Sequence, residues 1–118
     1  MKILDQFPAL APPVSVRVMH LVFDIKFVEK TLAINAAEMY GWCDASNLTI
    51  HLCQGLRPAL LADTAIHELL HAIHFTAGMD DELDDETMAK QLSGPLVCVM
   101  RDNPEFFDWL RCLINSEI

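Results

Sequence analysis

Basic residues, paired cysteines and long apolar runs are all scarce in this sequence, and each shortage removes a class of function. Eight Lys and Arg stand against seventeen Asp and Glu, a net charge of −9 with neutral histidines. An autonomous nucleic-acid binder normally carries a basic patch, so no nucleic-acid partner is expected, and the plainest meaning of the acidity is solubility. Cys43, Cys53, Cys98 and Cys112 form no Cys-x-x-Cys pair, and their spacing lends no support to a four-cysteine zinc site. No apolar run approaches the roughly 20 residues of a membrane span. The opening Met1-Lys2-Ile3-Leu4-Asp5 soon meets an acid and prolines, unlike a secretory signal. The cysteines therefore read as reduced thiols of a cytoplasmic protein.

What is present suits one compact domain over residues 1–118, since 53% of the chain is hydrophobic and neither a repeat nor a second domain is visible. Residues 1–13 hold three prolines and read as an arm or lead-in. Val14, Val16 and Val18 alternate with polar or flexible residues, a strand signal. From Leu21 to Lys30 both a strand and a helix period fit. Ile34 to Cys43 reads as a strand, Asp44-Ala45-Ser46-Asn47 as a turn and Leu48 to Cys53 as the returning strand. A helix is expected from Pro58 to about Ala77, with Gly78 as its stop. A second helix is expected from the acidic run Asp80–Glu86 to about Met100, kinked at Gly94-Pro95. Asn103-Pro104-Glu105 reads as the N-cap and first turn of a last helix with Phe106, Trp109, Leu110 and Leu113 on its core face. The expected class is α+β, a small and mostly antiparallel sheet packed on three helices.

The first helix carries the chemistry, as His67-Glu68-Leu69-Leu70-His71. Residues four apart share a helix face, about 6 Å apart along the axis, so the two imidazoles can reach one metal ion. Zn²⁺ accepts nitrogen ligands in tetrahedral geometry. Glu68 points about 100° away from His67, which suits it to hold a water rather than the metal. From Pro58 to Met79 the only charged residues are Asp63 and Glu68. Ala62, Ile66, Leu69, Leu70, Ile73 and Ala77 form one apolar face, Leu61, Ala65 and Ala72 another. The helix is therefore expected to be nearly buried, and its polar stripe of Thr64, His67, Glu68, His71 and His74 needs a reason to be there.

A catalytic zinc takes a third protein ligand. His74 lies seven residues from His67, about 10 Å along a straight helix, too far for one ion that also holds His71, so it reads as a supporting or core histidine. Glu86 lies at the start of the second helix, beside the apolar face of Ala89, Leu92, Leu96 and Val99. Glu82 and Asp85 are rivals, and a solvated first-turn acid is the alternative reading.

The His-Glu-x-x-His stretch with a downstream helix-borne Glu resembles a gluzincin, the zincin branch with two His and one Glu on the metal. Glu86-Thr87-Met88-Ala89, the apolar Leu92 and the small Ser93 are similar to that branch's second helix. Chain size and the later Asp102-Asn103-Pro104 resemble small phage- and prophage-type metallopeptidase-like proteins and, more distantly, the ImmA/IrrE peptidases. The likeness covers roughly residues 36–110. It implies a minimal zincin-like domain with one Zn²⁺ held by His67, His71 and Glu86, Glu68 as general base and acid, and a polypeptide substrate laid along the sheet edge near 36–43. Tyr40, His51 and His74 are the candidates for stabilising the oxyanion. A zinc-binding interaction or regulatory module without turnover is the other reading; a DNA-associated protease of the SprT-like group is opposed by the charge.

Overall fold

The computed structural model describes residues 11–29 and 40–116. It is α+β, a four-stranded mixed sheet with three helices. The strands are β1 (Ser15–Val18), β2 (Leu21–Val28), β3 (Gly41–Asp44) and β4 (Thr49–Cys53). The helices are α1 (Pro58–Thr76), α2 (Asp85–Asp102) and α3 (Pro104–Asn115). In space the strands run β1-β2-β4-β3. Both outer pairings are antiparallel and the central β2–β4 pairing is parallel. No described helix is long and apolar enough to cross a membrane, and none of the four cysteines is in a disulfide.

The ambiguous stretch after Met19 is a strand. Its period-2 set wins because Phe23 and Ile25 point into the core while Val22, Asp24 and Lys26 face outward. Asp44 ties down the turn before β4: its carboxylate accepts from the Ser46 hydroxyl at 3.0 Å and from the Asn47 side-chain amide at 2.8 Å. The expected strand over 34–43 lies outside the described residues up to Met39; its end is seen in β3. The expected lead-in, up to residue 10, also lies outside them. The core is one layer between sheet and helices, with Val16, Val18, Ile50 and Leu52 meeting Ala65, Leu69, Ile73, Phe106 and Trp109.

Two expectations about the helices are corrected. First, α1 is not nearly buried. Ala62, Ala65, Leu69, Ala72 and Ile73 are covered, but Ile66 and Leu70 are more than one-third exposed. α1 lies on the sheet by one face, and a 19-residue helix so placed leaves its far side open. Second, Asn103 stands at the N-cap of α3 as expected, but its side chain makes no capping bond there. It turns to the outer edge of β1, where its Oδ1 accepts from the Arg17 backbone N–H at 2.8 Å. Its Nδ2 donates to the Arg17 carbonyl at 2.7 Å and to the Val99 carbonyl at 2.8 Å. The amide thus pairs with Arg17 as a neighbouring strand would. α2 itself runs unbroken through Gly94-Pro95, and Asp84 caps it by accepting from the Thr87 N–H at 2.7 Å.

Asn103→Ala is expected to destabilise the fold by about 0.5–1.5 kcal/mol in urea unfolding, because it removes hydrogen bonds that tie β1 to the end of α2. Near-isosteric Asn103→Asp should cost at least as much at neutral pH, since a carboxylate oxygen would then face two carbonyls.

Candidate metal centre

α1 and β3 build the site together. Pro58 opens α1 at a position where a missing N–H costs nothing. Small residues on its inner face let it lie close to β3 and β4. Gly41 is hemmed in by both the neighbouring strand and the helix. A Cβ there would stand 2.6 Å from the His51 carbonyl oxygen and 3.0 Å from Thr64 Cγ2, so a larger residue would push β3 away from its neighbours. Thr64 is buried at this contact and its hydroxyl donates to the Leu60 carbonyl at 2.8 Å.

Between helix and strand runs an open groove of about 620 Å³, walled by Tyr40 to Cys43 on one side and by Asp63, Thr64, His67, Glu68 and His71 on the other. His67 and His71 are exposed on its rim, and Glu68 is buried beneath them at 5% exposure. The two imidazole Nε2 atoms are 3.1 Å apart, the rings meeting edge to face at 4.8 Å between centroids. Ligand atoms of His67, Glu68 and His71 all lie within 4.8 Å of one another, a group that could hold a metal ion. The fit to zinc is good in one specific respect. Two nitrogens each about 2.0–2.1 Å from a tetrahedral zinc stand about 3.3 Å apart, close to the observed separation.

The electrostatics follow from burial. The Glu68 carboxyl is pushed above the usual range chiefly by loss of water, with the two imidazoles pulling the other way. Cys43 faces the same groove, and its thiol is pushed up to about 11 by burial, then by the negative charges of Glu68 and Asp44. Nothing in the motif pointed to Cys43. Strand alternation could have done so, because Cys43 pairs with Ile50, whose side chain is buried in the core, and so lies on the helix-facing side of β3.

The remaining sequence candidates are dispersed. The Glu86 side chain is 79% exposed in the first turn of α2, 3.8 Å from Lys90 Nζ, and is not part of the His67–Glu68–His71 group. Glu82 and Asp85 are likewise outside that group. His74 is not a core residue: it is 38% exposed and its Nε2 is 3.2 Å from Asp81 Oδ1. Of the three oxyanion candidates, Tyr40 lines the groove and His51 and His74 do not. No family model, curated protein or solved structure matches the chain, so the centre is read from its own geometry.

A thiol raised from 9.0 to about 11 holds about a hundredfold less thiolate at mildly alkaline pH. Cys43 should therefore alkylate far more slowly than a free thiol at pH 8, as followed by peptide mass spectrometry. Glu68→Gln should speed that reaction by removing one of the charges behind the shift.

Proposed function

We propose that the protein is a zinc-dependent metallopeptidase. The observation that carries this reading is the pair of Nε2 atoms 3.1 Å apart above a buried carboxylate, opening onto a groove with a strand along its wall. His67 and His71 would hold the ion, and Glu86 is the proposed third ligand. Its pair with Lys90 is exposed and on the same helix, and such pairs are worth little, so the carboxylate costs little to redirect. A bound zinc supplies Lewis acidity, bringing water to a pKa of about 7 and polarising a carbonyl.

The rest of the chemistry belongs to the chain. Glu68 is the proton carrier. Burial makes its carboxylate a better base than an exposed glutamate, so it takes a proton from the attacking water. It returns that proton to the amine as the C–N bond breaks. β3 ends the sheet among the described residues, and an extended polypeptide can add to its free edge through main-chain hydrogen bonds that tolerate many sequences. The net charge of −9 favours neutral or basic unfolded polypeptides as substrates.

The purified protein should carry about one zinc per chain by elemental analysis, and His67→Ala and His71→Ala should each lose it. Zinc retained in either variant would sink the site. Glu86→Ala should weaken zinc binding more than Glu82→Ala or Asp85→Ala; the reverse order would move the third ligand along the loop. Chelation should lower the melting temperature, because the ion joins α1 to α2. Glu68→Gln should keep zinc and lose about 10²–10⁴-fold in cleavage of an unfolded protein. Zinc binding with no cleavage by the unaltered protein would replace the peptidase reading with that of an interaction module.

A further inference from the structure

A second hollow, of about 280 Å³, lies between α1 and α2 on the other side of the histidine pair. His67 and His71 line it as well as the groove, so the two spaces meet at the candidate centre. Its walls are Leu70 of α1 and Met88 and Leu92 of α2, with Met79 from the connecting loop. His67 and His74 are seven residues apart on one helix, about 10 Å, and both line the hollow. Asp81 Oδ1 lies 3.2 Å from His74 Nε2, on a side chain that is 89% exposed, which places its carboxylate at the solvent mouth of the end away from His67. Asp80 lines the hollow too, its Oδ1 accepting from the Glu82 N–H at 3.2 Å. Among the described residues no lysine or arginine lines this space.

We propose that this hollow receives a lysine or arginine side chain of a bound polypeptide, with the aliphatic stem against Leu70, Met88 and Leu92 and the charged head at Asp81. The shape argues for it. An apolar cleft about 10 Å long that begins at the reactive group and ends at carboxylates matches a side chain with a long methylene stem and a cationic tip. A purely apolar occupant would leave its far end against two charged groups, and an acidic one would be repelled by them. The volume fits one large side chain rather than a helix or a second copy of the chain. His74 then acts as the positioning residue for Asp81. This inference deepens the peptidase reading and rests on it for the occupant being part of a polypeptide lying in the groove.

The test is binding, with turnover as a separate arm. Short dye-labelled Ala/Ser peptides carrying one Arg, one norleucine or one Glu are titrated by fluorescence anisotropy into the full chain in chelator, where nothing is cleaved. The Arg peptide should bind about two- to fivefold more tightly than the norleucine peptide, the size of one exposed ion pair, and the Glu peptide most weakly. The Arg advantage should shrink in high salt. Asp81→Asn should bring Arg level with norleucine. Met88→Lys, which fills the hollow with a basic chain of its own at a half-exposed position, should do the same. Arg binding no better than norleucine, or an Arg advantage that survives both substitutions, overturns the proposal. The zinc-loaded protein is then given an unfolded protein and its cut sites mapped. An Arg advantage without cleavage upholds the hollow and sinks the peptidase reading. Cleavage with no Arg advantage in the binding arm does the opposite.

Discussion

The close approach of α1 to β3 and β4 is the constraint on which the candidate centre depends. It requires Gly41, because a Cβ there would stand 3.0 Å from Thr64 Cγ2 on the helix, as well as 2.6 Å from the His51 carbonyl of the neighbouring strand. It also requires the small side chains Ala62, Ala65 and Ala72 on the inner face of the helix. A helix held farther off would leave Glu68 in water and lose the perturbation of its carboxyl. The same contact leaves the opposite face of α1 uncovered, which is why both histidines reach solvent while the residue between them in the motif does not.

Burying Glu68 has an energetic consequence for the chain without metal. A carboxylate taken from water is unfavourable unless charge or hydrogen bonds compensate. Here the compensation comes from the two imidazoles, and it is incomplete, since burial remains the larger influence. Functional groups often sit in such unrelieved positions, because the strain is what makes them reactive.

Much of this was legible in the residues. The spacing of His67, Glu68 and His71 fixes their relation on any helix, and Pro58 and Gly78 bracket that helix whatever it packs against. Asp44 to Asn47 forms its turn by bonds that are local in sequence. What was not legible depends on distant partners. Ile66 and Leu70 looked like core because periodicity marks apolar residues without saying which of two apolar faces meets the sheet. Asn103 looked like a cap because its rival acceptor and donor, both on Arg17, lie 86 residues away. The position of Glu86 relative to the histidines depends on how α2 settles beside α1, which no spacing within either helix encodes. Cys43 was within reach of strand alternation, but it lies outside the His-Glu-x-x-His motif and no spacing drew attention to it.

The two margins of the sheet differ in kind. At β1 the amide of Asn103 occupies the outward-facing N–H and C=O of Arg17, so one side chain covers part of that margin. At β3 no described strand lies beyond Gly41–Asp44. Among the described residues the margin at β3 is thus the one without a partner, and it is the one beside the histidine groove. On the reading proposed above, in which an extended peptide adds to that margin, a second molecule of this chain would contend with the peptide for the same backbone groups.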